Sequence, residues 1–290
     1  MAYLLKKQKK LFHAILISIM LFFVSLQAHA DIKLSFGLYT SDKATTLVKK
    51  FRPILKSLEK KLSNDLKTNV SIKFHISKSY DEGILALQDG KVDFARFGPA
   101  SYIQAIKNNP GISLLVMETK KGKKVFRGMI CVHEKSDIQN VSELKGKSFA
   151  FGSKRSTIGR YLSQEYLLQN GIKARDLAHY DYLGRHDTVG YAVAQKKYTA
   201  GALKESTFKK LVKNGQPLRK IATFNNVTKP WVARSGLDKN VHNALRNALL
   251  SLKDKKILSV IKKDGFTVAN KKDYSSIENA INVNKDFFSD

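Results

Sequence analysis

The stretch FGSKRSTIGRYL (151–162) places two hydroxyl residues, Ser156 and Thr157, between two glycines, Gly152 and Gly159. It follows a strand-like run and has the pattern of a helix start. A helix start presents unpaired backbone N–H groups and the positive end of the helix dipole, which together suit an oxyanion. The hydroxyl groups would add donors, and the glycines would let ligand and backbone approach closely. An ordinary serine N-cap is the structural alternative.

Ser156, His186 and Glu205 are also the residue types of a hydrolase triad. The G-x-S-x-G elbow that exposes such a serine is absent from the sequence, and so is the G-x-x-x-x-G-K-[ST] loop of nucleotide hydrolysis. Cys131 and His133 share a face of a predicted strand, but two ligands are too few for a zinc site. We therefore expect a binding protein without enzymatic activity, metal or other cofactor.

Polar segments resembling this one follow four other predicted strands. Ligands of open α/β sheets bind outside the carboxyl ends of the strands, where loops and helix starts gather. We therefore expect all five junctions to line one cleft. The other four are LYTSDKATT, ARFGPASYI, YLGRHDTVG and GALKESTF.

Strand and helix signals alternate along the chain after residue 30, which predicts α/β lobes with mostly parallel sheets. The lysine-rich loop at 120–124 and the turn-rich NNVTKP at 225–230 divide these signals. We predict two lobes joined by two crossings, with residues 31–120 and 227–290 in lobe 1 and residues 121–226 in lobe 2. Residues 237–289 have an almost entirely helical pattern and should pack back on lobe 1.

The individual elements follow from hydrophobic periodicity. In lobe 1 we predict strands at 32–39, 70–76, 93–97 and 113–118, and helices at 43–62, 80–89 and 100–108. In lobe 2 we predict strands at 126–132, 148–151, 179–182, 200–203 and 218–224, and helices at 156–170 and 186–196.

The first 30 residues have the pattern of a secretory signal peptide. A lysine-rich start precedes an apolar run from Leu11 to Leu26, and the segment closes on the small residues of Ala28-His29-Ala30. The apolar run is shorter than the roughly 20 residues that a membrane span needs. We expect cleavage after Ala30 and a soluble chain in the bacterial periplasm; an uncleaved membrane anchor is the alternative.

The formal net charge of +28 favours anionic partners. Four lysines of the signal segment contribute to it, which leaves +24 for residues 31–290. The remaining lysines are scattered over every predicted helix, and no recognisable nucleic-acid-binding module is present. We therefore expect no nucleic acid as a partner, and a basic surface that favours small anions or the anionic membrane face.

Three segments carry a resemblance to a known family: FGPASY (97–102), GKSFAFGSKRSTIG (146–159) and HDTVGYAVAQKKYTAGALKE (186–205). In this order and spacing they resemble the phosphate/phosphite/phosphonate-binding proteins of ABC importers. The resemblance covers nearly all of the chain after the signal segment. It implies the type II periplasmic-binding-protein fold, in which two α/β lobes close on an oxyanion. It also implies a monomer that delivers this small ligand to an ABC permease in the inner membrane, with its cytoplasmic ATPase.

The resemblance further implies which residues bind. Ser156 and Thr157 would hold phosphoryl oxygens, and His186 would donate from the facing helix start. Lobe 1 would close the site with Ser101 and with Tyr102 or Tyr39.

Glu205 would discriminate most strongly among ligands. A carboxylate facing the pocket would repel sulfate, yet accept a proton from a P–OH group or pair with an ammonium group. It would favour phosphate, phosphite or an aminoalkylphosphonate. The alternative is a solvated glutamate that caps its own helix.

Two positions depart from the family pattern. Ile158 stands where the family's S-T-S has its second serine, and Thr199 replaces the acidic residue before A-G-A. The first change removes a hydroxyl donor, and the second position can simply stabilise the fold. Both leave the identity of the anion open.

An alternative output is compatible with the same fold. The protein could present its ligand to a membrane sensor kinase or chemoreceptor instead of a permease. The residues of the chain do not separate these two roles.

Overall fold

The computed structural model describes residues 31–39 and 44–289, and its strands form two sheets. The first part of the chain builds strands and helices in alternation, with bounds close to those that the sequence predicts. These elements are β1 (Ile32–Tyr39), α1 (Ala44–Leu66), β2 (Val70–Ser77), α2 (Tyr80–Gln88), β3 (Phe94–Arg96), α3 (Pro99–Asn108) and β4 (Ser113–Thr119). Residues 1–30, which carry the predicted signal peptide, lie outside the described residues.

The middle of the chain builds the second sheet. Its elements are β5 (Val125–His133), a 3-10 turn (Val141–Leu144), β6 (Ser148–Phe151), a π-helical turn (Thr157–Tyr161), α4 (Leu162–Gln169), a 3-10 turn (Ala174–Asp176), β7 (His179–Tyr182), α5 (His186–Ala194), β8 (Ala200–Lys204), α6 (Glu205–Lys213) and β9 (Leu218–Val227).

The C-terminal part returns to the first sheet. Its elements are β10 (Pro230–Ala233), α7 (Lys239–Ser251), α8 (Lys255–Ser259), β11 (Gly265–Thr267), a 3-10 turn (Lys271–Tyr274), α9 (Ser275–Asn282) and a 3-10 turn (Val283–Phe287). The prediction of an almost entirely helical segment is wrong at β11, which pairs with β4. A strand of three residues is too short for its periodicity to show in the sequence.

The first sheet has the strand order β11-β4-β10-β3-β1-β2, and the second has the order β7-β6-β8-β5-β9. The prediction of mostly parallel sheets is wrong, because four of the nine strand pairs in the described chain are parallel. Several antiparallel pairs involve the strands next to the two crossings between the sheets. β10 brings the chain back into the first sheet antiparallel to β3 and β4, and β5 and β9 pair with each other antiparallel.

The first sheet is held by an aromatic core under β1. Strand β1 alternates its side chains, so that Leu34, Phe36 and Leu38 are buried on one face. Phe36 stacks on Trp231 of β10 with a centroid distance of 4.8 Å. Helix α1 covers this core with apolar residues at helical spacing, among them Phe51, whose ring lies 5.8 Å from that of Phe36.

The chain passes between the sheets at 120–124 and at 228–229. Helix α7 packs on α1 and on β4 of the first sheet, as predicted for the C-terminal segment. The last turn also reaches the second sheet, since the ring of Phe287 lies edge-on to that of Phe151 at 5.8 Å. Among the described residues, none of the helices is long and apolar enough to cross a membrane.

Glu118 is a fully buried carboxylate at the end of β4. Arg96 binds both of its oxygens, and the Lys263 ammonium lies 3.2 Å from one of them. The indole N–H of Trp231 donates to the same carboxylate at 3.3 Å. Burial alone would raise the pKa of Glu118, but the charges of Arg96 and Lys263 outweigh it and lower the pKa to about 2.

We expect Glu118→Gln to lower the free energy of unfolding by about 3 kcal/mol or more, because it leaves two buried cations without a counter-charge. The folded pKa lies below the ordinary value of 4.5, so the ionised glutamate stabilises the fold fully above that pH. The difference between wild type and variant should shrink as the pH falls towards 2. Urea unfolding across this pH range measures it.

Glu278→Gln is the matched control, because Glu278 is partly exposed and its ammonium partner Lys271 lies 3.7 Å away. An exposed ion pair of this kind contributes less than about 1 kcal/mol. Equal losses in both variants would show that the buried network adds nothing specific to stability.

Candidate functional site

A cavity of about 20 Å³ lies between the two sheets, and we call it the small cavity. It is bordered by the starts of four helical segments: α2 and α3 on the side of the first sheet, and the π-helical turn and α5 on the side of the second. Its volume is about that of one water molecule. Its lining includes Gly98, Ser156, Thr157, Ile158, His186, Lys204, Asn226 and Lys229.

The close approach of Gly152 and Gly159 positions the helix start at this cavity. The Gly152 N–H donates to the Gly159 carbonyl at 2.8 Å. A Cβ on Gly159 would lie 2.7 Å from the Gly152 Cα, which leaves no room for a side chain. These glycines therefore let the turn pack directly on the end of β6, and this contact, not the predicted approach of a ligand, requires their small size.

Ser156 is buried at the edge of the small cavity and caps its own turn. Its Oγ accepts the Gly159 N–H at 2.9 Å, and its carbonyl accepts the Tyr161 N–H five residues on, as in a π-helix. The Ser156 hydroxyl therefore makes the hydrogen bond of an ordinary N-cap residue. Its place beside the small cavity is also the one that an oxyanion-binding residue needs.

Thr157 joins the two sides of the cavity. Its Oγ1 accepts the backbone N–H of Ala100 in the first turn of α3 at 3.0 Å. The N-cap residue of α3 is Gly98, which has no side chain to bond this turn. A hydroxyl from the second sheet therefore occupies the place of a capping group on a helix of the first.

Tyr39, the last residue of β1, supports the start of α3 from the first sheet, and its partner there is Ser101 in the first turn of that helix. The Tyr39 hydroxyl accepts the Gly98 N–H and lies 3.0 Å from the Ser101 Oγ. The Tyr39 ring stacks on Tyr80 with a centroid distance of 4.0 Å. Burial raises the pKa of Tyr39, so the hydroxyl stays protonated and retains a hydrogen to donate.

Tyr102 lies behind this helix start and does not border the small cavity. Its ring packs edge-on against Tyr274 at 5.1 Å. The two residues belong to the apolar core that continues from one sheet to the other.

His186 is the first residue of α5, is buried, and borders the small cavity. Its neighbour Asp187 pairs with the Arg185 guanidinium and accepts the Thr188 N–H of its own helix. Asp187 therefore lies in the first turn of α5, where its negative charge suits the positive end of the helix dipole, while Arg185 is the N-cap residue.

Glu205 begins α6 and borders a second, larger space. Its carboxylate binds the Arg127 guanidinium at 2.9 and 3.2 Å and the Lys209 ammonium at 2.8 Å. Burial acts to raise the pKa of Glu205, but the hydrogen bonds and charges of Lys209 and Arg127 lower it overall. The carboxylate is thus ionised at neutral pH and already neutralised by two cations.

The larger space, which we call the large cleft, has a volume of about 600 Å³. It runs between the sheets past Arg96, Glu118 and Glu205, and shares Phe126, Lys204 and Lys229 with the small cavity. Two lysines and four helix starts thus surround the small cavity with positive potential.

Comparison with known proteins fits this geometry. Residues 36–274 match the family model described as ABC transporter, phosphonate, periplasmic substrate-binding protein. The chain belongs to this family. A curated relative, the probable ABC transporter phosphite-binding protein PhnD1 of Prochlorococcus marinus (strain MIT 9301), is 25% identical, and the match covers 84% of this chain and 87% of PhnD1.

Solved structures show the same fold. The structure of that PhnD1 in complex with methylphosphonate has a TM-score of 0.76 at 24% identity and covers 88% of this chain and 98% of its own. A binding-protein component of an ABC phosphonate transporter from Pseudomonas aeruginosa has a TM-score of 0.72 at 17% identity, over 89% and 87% of the two chains. The predicted type II periplasmic-binding-protein fold is confirmed, and the phosphonate-binding family is one of transport proteins and not of enzymes.

The two departures from the pattern of the phosphonate-binding family lie in different places. Ile158 is buried at the small cavity, and its Cγ2 fills the space beside Gly128. Thr199 lies away from the cavity, where its N–H donates to the Ser148 Oγ at 2.9 Å. The position of Thr199 therefore stabilises the ends of β6 and β8, whereas Ile158 places an apolar wall beside Thr157.

Asn226 borders the small cavity and was missed by the sequence analysis, which assigned 225–230 to a turn. It lies on β9 opposite Phe126, and both its amide nitrogen and its amide oxygen are buried. Neither atom has a hydrogen-bond partner within the described residues. An unsatisfied buried amide costs about 1–3 kcal/mol, so the pair of atoms is a strong candidate for a ligand contact. Its inward position on β9, shared with Phe224, is the signal that could have revealed it.

No cluster of three or more metal-ligating side chains occurs in the part of the chain that the structure describes. Burial raises the pKa of the Cys131 thiol to about 12, so the thiolate is not populated.

We expect Gly159→Ala to weaken ligand binding at least tenfold and to lower stability by about 1–3 kcal/mol, because the new methyl group must displace the Gly152 backbone. Calorimetric titration and urea unfolding measure the two effects. Gly265→Ala is the control, since its Cβ would meet its nearest neighbour, Thr119 Oγ1, at an ordinary 3.5 Å. Unchanged binding in Gly159→Ala would show that the turn does not position the site.

Proposed function

We propose that this periplasmic binding protein captures a phosphorus oxyanion, namely a phosphonate, phosphite or phosphate, in the small cavity and delivers it to an ABC permease in the inner membrane. Membership of the family supports the transport role. The names of the relatives support the ligand class, since PhnD1 is named as phosphite-binding and its structure contains methylphosphonate.

The observation that carries the proposal is the convergence of four helix starts on one small cavity between the sheets. A phosphoryl group is larger than this cavity, so it would enter as the sheets part. It would displace Thr157 Oγ1 from the Ala100 N–H, and then accept hydrogen bonds from that N–H and from the hydroxyl groups of Ser156 and Thr157. Hydrogen bonds to a charged group contribute about 1.5–3 kcal/mol each, so four or five such bonds support binding of about −8 kcal/mol, which is micromolar.

The predicted residues divide into two groups in this proposal. Ser156, Thr157 and His186 border the small cavity and would contact the oxyanion directly. Tyr39 and Ser101 would act through the start of α3, which their hydroxyl groups hold. Two further predicted residues, Tyr102 and Glu205, do not border the small cavity; Tyr102 would support α3 from behind, and Glu205 would face the substituent of the ligand.

Asn226 would select for a protonated oxyanion. Its amide nitrogen can donate to a phosphoryl oxygen, while its amide oxygen can accept a hydrogen bond from a P–OH group. Sulfate has no proton at neutral pH and would leave the amide oxygen unsatisfied in a buried site. This gives the discrimination against sulfate that the sequence analysis assigned to Glu205.

Binding would favour the closed arrangement of the sheets. The oxyanion would contact Thr157 on the second sheet and the start of α3 on the first, so it would interact more strongly when these elements are close together. The permease would recognise this closed form.

Three further expectations complete the proposal. Residues 1–30 would direct export and be removed after Ala30. The mature protein would be a monomer. It would bind no nucleic acid, because its lysines are scattered over every predicted helix and no recognisable nucleic-acid-binding module is present.

Titration of residues 31–290 with phosphate, phosphite, methylphosphonate and sulfate tests the ligand class. We expect micromolar binding of at least one phosphorus oxyanion and no detectable binding of sulfate. Thr157→Val, which removes the hydroxyl at nearly constant volume, should weaken that binding tenfold or more, a loss of about 1.4 kcal/mol.

Thr157→Ser is the matched control, because it retains the hydroxyl, and it should bind nearly as tightly as the wild type. If valine and serine at this position bind equally well, Thr157 makes no contact with the ligand. If sulfate binds as tightly as the phosphorus oxyanions, the proposed ligand class is wrong.

Asn226→Leu should change stability and binding in opposite directions. It removes two unsatisfied buried polar atoms, so the unliganded protein should be as stable as the wild type or more stable. The affinity for the phosphorus oxyanion should fall at least tenfold. Thermal unfolding without ligand and calorimetric titration measure the two effects.

The neighbouring Asn225 provides the control, since it is exposed on the same strand. Asn225→Leu should leave the affinity unchanged. A marked loss of stability in Asn226→Leu without loss of affinity would assign Asn226 a structural role instead.

A further inference from the structure

We propose that the large cleft binds a second anionic group of the ligand, so that the preferred ligand is an organophosphorus compound with an additional negative charge. A phosphonate that carries a carboxylate is the simplest example. This inference rests on the proposed function, because it assumes that the phosphoryl group occupies the small cavity.

The charge of the large cleft is the first observation. Ten lysine and arginine residues border it, against three carboxylates, so its described lining carries a formal charge of +7. The lining includes Lys50 of α1, Arg127 of β5 and Lys210 of α6 and therefore comes from both sheets. A cleft with one sign of charge between low-dielectric walls concentrates the positive potential.

The carboxylates in the cleft are already neutralised. Glu118 is held by Arg96 and Lys263, and Glu205 by Arg127 and Lys209. The third, Asp187, pairs with Arg185. A ligand ammonium group would therefore meet surplus cations, whereas a ligand carboxylate would meet several possible donors.

The connection between the two spaces is the second observation. Lys204, Lys229 and Phe126 border both the small cavity and the large cleft. A substituent on a phosphorus atom in the small cavity would thus pass two ammonium groups as it enters the cleft. The volumes differ strongly: about 600 Å³ holds a substituent of many atoms, whereas the small cavity, at about 20 Å³, would have to widen to admit the phosphoryl group.

A cleft that contacts the second anionic group directly differs from one that only attracts anions over a distance. Electrostatic attraction of that kind acts on the total charge of the ligand from a distance, so salt screens it. A direct contact between a lysine ammonium group and the ligand carboxylate is screened much less. The two roles therefore predict different affinity ratios of phosphonoacetate and phosphonoacetamide at high salt: the ratio approaches one for attraction alone and persists for a contact.

The experiment compares phosphonoacetate with phosphonoacetamide, which has the same shape without the second charge, and with the cationic 2-aminoethylphosphonate. Calorimetric titration of residues 31–290 should show phosphonoacetate binding at least tenfold more tightly than phosphonoacetamide. The aminoethyl compound should be the weakest of the three. Methylphosphonate is titrated in parallel to report on the small cavity alone.

Lys204→Gln should reduce the ratio of the phosphonoacetate and phosphonoacetamide affinities towards one. Lys229→Gln provides a second variant if the first is not folded. Lys213→Gln is the control, because Lys213 is an exposed residue at the end of α6 that does not border the cleft, and it should keep both affinities and their ratio.

Two outcomes would overturn the inference: equal affinities of the acetate and the amide in the wild type, or an equal loss of both in Lys204→Gln. Failure of the proposed function looks different. In that case methylphosphonate and the other phosphorus oxyanions would not bind at all, so the reference titration separates the two failures.

Discussion

The backbone contact between Gly152 and Gly159 is the constraint on which the site depends. It places the helix start directly on the end of β6, at a distance that no side chain at either position would allow. Ser156 can then cap the turn, and Thr157 is left to face the other sheet. The hydrogen bond from Ala100 to Thr157 therefore transmits the geometry of one glycine pair to the start of α3.

The carboxylates near the site neutralise some of the many cations of this basic chain. Glu118 holds two cations in a buried network, and Glu205 holds two more at the rim of the cleft. Each carboxylate is already paired with two cations, so neither offsets the charge of the other lysines and arginines that border the cleft. The overall charge of +28 is thus partly organised around the cleft, although the sequence shows only lysines spread along every helix.

Local patterns predicted β1 and β6 with the observed bounds, because each alternates or buries its side chains over its whole length. Sheet direction could not be predicted in the same way, since the antiparallel placement of β10 depends on where the chain returns from the second sheet. At the site, hydroxyl and histidine residues at helix starts were recognisable from their types. Asn226 was not, because a polar residue before a turn-like sequence indicates a loop unless its strand pairing is known.

The position of Asn226 relates the site to the connection between the sheets. Strand β9 ends one residue later, and the chain crosses to β10 through 228–229. Lys229 of that crossing borders the same cavity, while Thr157 and α3 border it from the two sheets. An oxyanion bound there would contact both sheets and the segment that joins them. Its binding free energy would then act on the relative position of the sheets themselves, which is what a ligand must do to shift a protein between two arrangements.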